Sequence, residues 1–119
     1  MTYKTYRDLV NEAKTRIQEI SPRESVTLHA SDAQALFIDV REPNEWNLGH
    51  IPGARHIPRG NLESNIEAVP RDSRIVLYCA SGNRTALAAD TLQQMGYTRV
   101  ASLAGGFRGW VEAGGEVEG

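Results

Sequence analysis

Three short apolar runs do most to limit what this chain of 119 residues can fold into. They cover residues 35–40, 75–78 and 100–103, and their length and β-branched content are typical of buried strands. Residues 54–57 form a weaker fourth candidate, and 16–20 form a short extended segment. Helical patterns lie between these runs. Because strands alternate with helices, we expect an α/β fold built on one largely parallel sheet.

The helices are indicated by their periodicity and by the residues at their ends. Apolar residues at spacings of three and four predict an amphipathic helix over 3–15. Ser21 followed by Pro22 is a strong helix start, so a second helix should run from there to about residue 30. A third is predicted over 84–95, where Gly96 stands in the position of a C-cap glycine.

Composition and charge exclude several classes of function. The chain is 40% apolar and 24% charged with a net charge of −2, which is typical of a soluble globular domain and unlike a nucleic-acid or membrane-surface binder. A single cysteine cannot form an internal disulfide. Asp8 and Glu12 lie where a signal peptide would be apolar, so we expect a cytoplasmic protein. We expect one domain over 1–119, with 116–119 as a flexible tail.

Polar or reactive residues follow three of the predicted strands. Asp39 and Arg41 stand at the end of the first, Cys79 follows the second, and a pair of glycines at 105 and 106 follows the third. Ligands of parallel sheets bind outside the carboxyl ends of the strands, which meet at one edge. The sequence therefore predicts one site at this edge of the sheet.

The segment after Cys79 indicates the chemistry of that site. A short loop leads from the strand into the helix near Arg84, so the sulfur should lie over a helix N-terminus. Unpaired N–H groups and the helix dipole favour negative charge there, Gly82 permits a tight turn, and Arg84 adds a positive charge. These features favour a thiolate, which is the reactive form of cysteine. The alternative is a buried cysteine that acts only as a small apolar residue.

Three blocks of sequence support the reactive interpretation. The first reads IDVREPNEW over 38–46 and continues as GHIPGA over 49–54, the second reads YCASGNRT over 78–85, and the third reads LAGGFRGW over 103–110. In this order they resemble the rhodanese homology domain, and the resemblance extends over about 16–115. It implies a five-stranded, mainly parallel sheet with helices on both faces.

The resemblance also implies a sulfurtransferase that works by double displacement. Cys79 would be the nucleophile, and the substrate loop would comprise Ala80, Ser81, Gly82, Asn83 and Arg84. Sulfur would pass from a donor such as thiosulfate or a persulfide to cyanide or a thiol, or along a relay of partner proteins. No cofactor, metal, nucleic acid or membrane is implied. Ala80 and Ser81 stand where the best-known thiosulfate enzymes carry basic residues, so we expect weak thiosulfate binding.

Two charged residues are expected to support this site. Asp39 should orient Arg84 or the loop backbone, although local capping or a surface ion pair remains an alternative. Arg41 has a local partner candidate in Glu45, so we expect a scaffold ion pair there.

Other conspicuous residues are expected to be structural. Trp46 and Trp110 should pack in the interior, and Gly105 with Gly106 should let the backbone approach the cysteine loop closely. His50 and His56 are not at the spacing of helical metal ligands, and His50 lies in a turn motif of the family.

Two other functions remain open. Phosphatases and arsenate reductases of related fold carry five residues between cysteine and arginine, whereas four lie between Cys79 and Arg84. The smaller ring should suit a sulfur atom better than a phosphoryl group. A non-catalytic regulatory module is the second alternative, although family members of that kind usually lack the cysteine.

Overall fold

The computed structural model describes residues 2–119. Its strands are β1 (Gln18–Ile20), β2 (Leu36–Asp39), β3 (Arg55–His56), β4 (Ile75–Tyr78) and β5 (Val100–Leu103). Its helices are α1 (Tyr6–Lys14), α2 (Pro22–Ser31), α3 (Pro43–Asn47), α4 (Leu62–Ile66), α5 (Asn83–Gln94) and α6 (Gly106–Glu112), with a 3-10 turn at Arg59–Asn61. No helix within this range has the length and apolar content needed to cross a membrane.

The strands form one sheet in the order β1-β5-β4-β2-β3. All four pairings are parallel, which confirms the expected fold. Asp39 of β2 lies opposite Tyr78 of β4, and Leu77 of β4 lies opposite Ser102 of β5. The carboxyl ends of the three central strands therefore lie side by side at one edge.

Both faces of the sheet are covered because neighbouring residues of a strand point to opposite sides. Ile38 and Leu77 face one layer, where they pack with α4 and α5. Phe37 and Val76 face the other, where they pack with Trp110 of α6 and with apolar residues of α2. Trp110 is buried, as expected.

Local capping signals set the helix ends. α1 starts at Tyr6 rather than at residue 3, because Thr5 and Asp8 form a capping box in which each side chain bonds the other residue's backbone N–H. Ser21 and Glu24 form a second capping box in front of α2, which confirms the predicted start. At the end of α5, Gly96 adopts a φ of 101°, which confirms its role in the C-terminal turn.

The segment 116–119, predicted to be a flexible tail, makes backbone contacts with the rest of the fold. The backbones of His50 and Glu118 exchange both hydrogen bonds of an antiparallel bridge, at 2.9 and 3.0 Å. The indole N–H of Trp110 donates to the carbonyl of Glu116 at 2.7 Å. The polar composition of this segment gave no indication of these backbone hydrogen bonds.

Candidate active site

Cys79 lies where β4 ends, in front of the first turn of α5. The backbone N–H of Gly82 donates to its Sγ at 3.1 Å, and the residue is fully buried. Gly82 is the N-cap of α5 and has a φ of 98°, a conformation that favours glycine. The structure thus places the sulfur at a helix N-terminus, where N–H groups and the helix dipole stabilise negative charge.

The start of α6, just after β5, packs closely against this loop. A Cβ at Gly106 would lie 2.5 Å from the carbonyl oxygen of Cys79 and 2.6 Å from the backbone of Ala80. The N–H of Phe107 also donates to the Cys79 carbonyl at 2.7 Å. The expected close backbone approach is therefore confirmed, and it fixes the carbonyl side of the loop.

Two buried hydroxyls lie behind the sulfur, and the sequence interpretation gave neither a role. The Thr85 Oγ1 donates to the carbonyl of Gly82 at 3.1 Å, lies 2.8 Å from the Oγ of Ser102 and lies 3.9 Å from the Cys79 Sγ. Because the Thr85 proton goes to Gly82, the Ser102 hydroxyl donates to Thr85. The signal for Ser102 was a polar residue within an otherwise apolar strand.

Asp39 and Arg41 bind each other rather than the cysteine loop. The guanidinium donates to both carboxylate oxygens at 2.7–3.1 Å, and the Arg41 backbone N–H donates to the same carboxylate at 2.9 Å. Burial lowers the pKa of Arg41, but the hydrogen bonds and charge of Asp39 outweigh it and leave that pKa raised. The expectation that Asp39 orients Arg84 or the loop is wrong, and so is the expected pairing of Arg41 with Glu45.

The guanidinium of Arg41 also contacts the backbone of Gly49 and the ring of Phe107. Its Nη2 donates to the Gly49 carbonyl at 2.7 Å, and its Cζ lies 4.3 Å from the ring centroid of Phe107. Asp39 is fully buried and Arg41 is 5% exposed. This ion pair therefore joins the end of β2 to the turn at residue 49 and to α6, as part of the scaffold.

Glu45 instead lies near Arg84. Their closest charged atoms are 3.8 Å apart, and the Arg84 side chain is 38% exposed. Arg84 therefore stands at the outer rim of the loop, where it reaches solvent.

The aromatic residues beside this edge stack on one another. Trp46 is half-buried, and its ring is parallel to those of His50 and His56, at centroid distances of 3.4 and 4.9 Å. His50 Nδ1 lies 3.2 Å from the Trp46 carbonyl, and His56 Nε2 lies 2.8 Å from the Arg41 carbonyl. His56 thus bonds the backbone just after β2, and His50 bonds the backbone of α3.

Tyr78 precedes the cysteine and is fully buried. Its hydroxyl oxygen accepts the N–H of Ile51 at 3.1 Å. Burial, with the nearby charge of Asp39, raises the pKa of Tyr78 far above its usual range. Its phenol stays protonated and cannot serve as a base for the sulfur.

The family described as the rhodanese-like domain matches residues 23–113. The chain belongs to this family. Rhodanese-like relatives include the thiosulfate sulfurtransferase GlpE of Pseudomonas paraeruginosa, which is 38% identical over 78% of this chain and 83% of the relative.

Two relatives come from Bacillus subtilis. The uncharacterized protein YqhL is 42% identical over 71% of this chain, and the putative sulfur carrier protein YrkF is 34% identical over 84% of it. The match spans 65% of YqhL and 54% of YrkF.

A solved structure from Rhodopseudomonas palustris is similar to this protein over nearly its whole length. It has a TM-score of 0.90 and 34% identity, and the match covers 99% of this chain and 97% of that one. That protein is described as of unknown function and as a possible tyrosine phosphatase. The family match begins at residue 23, so α1 and β1 precede the matched segment, whereas the likeness to this structure extends over them.

Proposed function

We propose that the protein is a sulfurtransferase that carries sulfur as a persulfide on Cys79. The observation that carries this proposal is the N–H of Gly82 on the cysteine sulfur, 3.1 Å away, at the start of α5. A donor in this position favours an anionic sulfur over a neutral one. Ala80, Ser81, Gly82, Asn83 and Arg84 form the loop around the anion, while Asp39 and Arg41 keep the neighbouring strand end in place.

The proposed reaction has two displacements. In the first, the Cys79 thiolate attacks the outer sulfur of the donor, a new S–S bond forms, and the donor's own bond to that sulfur breaks. With thiosulfate, sulfite leaves with the bonding electron pair. In the second, a thiolate or cyanide attacks the outer sulfur of the persulfide, and the Cys79 thiolate leaves. No external oxidant or reductant is consumed.

Access to the thiol requires the loop to move. Cys79 is fully buried, whereas Ser81 and Asn83 are exposed and Arg84 is half-buried. The exposed side of the loop therefore is the side from which a donor approaches.

The relatives support the general chemistry and leave the substrate open. GlpE is named a thiosulfate sulfurtransferase and YrkF a putative sulfur carrier. In this loop Ala80 and Ser81 bring no charge, and one charge-assisted hydrogen bond is worth about 1.5–3 kcal/mol. We propose that thiosulfate binds with a KM of about 1 mM or above, and that a persulfide on a small thiol or relay protein is the better donor.

A cytoplasmic setting belongs to the same proposal. The reaction regenerates a free thiol at the end of every cycle, and reducing compartments maintain free thiols.

Mass spectrometry of the intact protein tests the mechanism. After incubation with a persulfide donor, the wild-type protein should gain the mass of one sulfur atom and lose it again on addition of cyanide. Cys79→Ser exchanges a single atom and should abolish both events, while its urea unfolding midpoint shows that the fold is retained. Sulfur transfer by that variant at the wild-type rate would overturn the proposal.

The same protein should be tested with a generic aryl phosphate. Four residues between Cys79 and Arg84 leave a small ring, so we expect no Cys79-dependent phosphate release. Release that disappears in Cys79→Ser would establish phosphatase chemistry instead.

A further inference from the structure

A surface cavity of about 310 Å³ lies between α1 and the cysteine loop. Its wall on α1 is one helical stripe, with Arg7, Val10 and Lys14 three or four positions apart. On the other side it is lined by Asn83, which directly follows the Gly82 whose N–H contacts the sulfur. The cavity therefore adjoins the loop without containing the sulfur itself.

The helix that builds this wall is held firmly against α5. Val10 and Ala13 are buried against Ala86. Arg16, two residues beyond α1, makes a bidentate contact to Asp90 of α5 at 2.8 and 3.1 Å. The position of Arg7 and Lys14 relative to the loop is thus set by packing on both sides of the stripe.

The acidic residues near the cavity already have partners, whereas two basic residues that line it have no acidic partner within residues 2–119. Asp8 caps the backbone of Thr5, and Glu12 pairs with Lys4 at 2.8 Å. Arg7 and Lys14 make no ion pair with any residue of the described range 2–119. In a chain of net charge −2, the cavity beside the reactive loop thus presents two exposed and unmatched cations.

We propose that this cavity binds the carboxylate of a small anionic thiol, which accepts the sulfur carried by Cys79. This rests on the proposed function and names the class of its acceptor. Because Asn83 separates the cavity from the sulfur, the negative group must be joined to the reacting thiol by a short linker. Thiosulfate, whose charge lies directly beside its reacting sulfur, does not meet that requirement. The volume suits a small molecule.

The chemical step is a thiol–persulfide exchange. The acceptor thiolate attacks the outer sulfur of the Cys79 persulfide, the acceptor persulfide forms, and the Cys79 thiolate leaves with the electron pair. Arg7 and Lys14 take no part in bond breaking. They bind the carboxylate electrostatically, so their effect should fall as ionic strength rises.

The test measures discharge of persulfide-loaded protein by three small thiols. 3-Mercaptopropionate is anionic, 2-mercaptoethanol is neutral and cysteamine is cationic. Each rate constant is expressed as a ratio of Arg7→Gln/Lys14→Gln to wild type, so the intrinsic reactivity of each thiol cancels. Since one exposed charge pair is worth about 0.2–1 kcal/mol, which is about 1.4-fold to fivefold, the loss of both cations should lower the ratio about twofold to thirtyfold for the anionic thiol. It should stay near one for the neutral thiol and rise for the cationic one.

The matched control is Arg55→Gln/Arg99→Gln. It removes the same charge from the far edge strand and from the residue before β5, and all its ratios should stay near one. Equal ratios for the three thiols in Arg7→Gln/Lys14→Gln, or the same pattern in the control, would overturn the acceptor site. The loading step is followed separately by mass spectrometry. Failure of Cys79 to gain sulfur would refute the proposed function, whereas normal loading without charge discrimination would refute only the acceptor site.

Discussion

Two polar clusters end adjacent strands of the same sheet, and they differ in how fully their atoms are bonded. At the end of β2, the Asp39 carboxylate accepts three bonds from the Arg41 guanidinium and one from the backbone, all at 2.7–3.1 Å. At the end of β4, the Cys79 sulfur receives one short bond, from Gly82. In the first cluster, protein groups bond both carboxylate oxygens and the Nε and Nη2 of Arg41, while the sulfur of the second keeps capacity for a ligand.

This difference separates the scaffold from the reactive site better than charge does. Asp39 and Arg41 are both charged, but they are buried and their charges are paired with each other. The cysteine loop has one rim cation, Arg84, and its other polar groups are backbone amides and the neutral side chains of Ser81 and Asn83. A charged residue beside a reactive site therefore stabilises the fold, and does not bind substrate, when another protein group already pairs with its charge.

The largest effect should follow from disrupting the buried Asp39–Arg41 ion pair. Asp39→Ala leaves the Arg41 guanidinium buried without its carboxylate, so the free energy of unfolding should fall by about 3–5 kcal/mol. Equilibrium unfolding in urea measures this loss. The fraction that remains folded should still load sulfur on Cys79.

Asp39→Leu/Arg41→Met provides the control for that change. Replacing both charges by apolar groups removes the unpaired guanidinium, so much of the lost stability should return. A loss below about 1 kcal/mol in Asp39→Ala would show that the cluster is not the rigid scaffold described here.

The next effect concerns the support of the cysteine loop. In Gly106→Ala the new methyl group would meet the Cys79 carbonyl at 2.5 Å, so the loop must shift. We expect a loss of about 1–3 kcal/mol from overpacking, in addition to the backbone cost of a side chain at the positive φ of Gly106, and a marked fall in the rate of sulfur loading.

Gly114→Ala is the matched control, because Gly114 also has a positive φ but no neighbour within 4 Å of the added Cβ. It should cost about 1–2 kcal/mol from backbone conformation alone and leave loading unchanged. Equal loading rates in Gly106→Ala and Gly114→Ala would contradict the role of the close contact.

A smaller effect should come from the hydroxyl pair behind the sulfur. Thr85→Val keeps the shape of the side chain but removes the donor to the Gly82 carbonyl and leaves Ser102 buried without its partner. Stability should fall by about 1–3 kcal/mol, and sulfur loading should slow.

Adding Ser102→Ala to Thr85→Val tests whether the two effects separate. Removal of both hydroxyls should restore most of the stability, since no buried donor is left unpaired. Loading should remain slow, because the Gly82 carbonyl is still released. Recovery of loading together with stability would show that Thr85 acts on the fold and not on the loop.

The smallest effect concerns the ion pair between Arg16 and Asp90, which is more exposed than the Asp39–Arg41 pair. The hydrogen bond from Arg16 lowers the pKa of Asp90, so the folded state favours the carboxylate. Its contribution is present above the ordinary aspartate value of about 3.9 and is lost as pH falls through the lowered folded value. The difference in urea midpoint between wild type and Asp90→Asn should therefore be constant from neutral pH to about pH 5 and shrink in stronger acid. Asp72→Asn, which breaks no ion pair of the described range, should show no such change.

The sequence was sufficient for the elements that depend on local signals. The apolar runs located β2, β4 and β5, and the Ser21–Pro22 pair located the start of α2. The start of α1 was placed too early, because the apolar pattern extends to Tyr3, whereas Thr5 caps the N-terminus and the helix begins at Tyr6. The bridge between the tail and His50 was not predicted, because the two segments are distant in the chain.

The site was predictable where one continuous segment forms it. Cys79 and its loop follow one another in sequence, so strand, turn and helix could be placed together. The ion pairs were assigned wrongly, because Asp39, Arg41, Glu45 and Arg84 all come close and only the fold decides which pairs are buried together. Ser102 was missed because its partner Thr85 comes from another element.

The short edge strands of the sheet limit the association of one copy of the protein with another. The outer strands β1 and β3 comprise three and two residues, whereas the central strands comprise four. A long bare edge offers a row of unsatisfied amides and carbonyls on which another chain can assemble. Edges of two or three residues offer too few such groups to template an added strand, which protects this apolar parallel sheet from edge-to-edge aggregation.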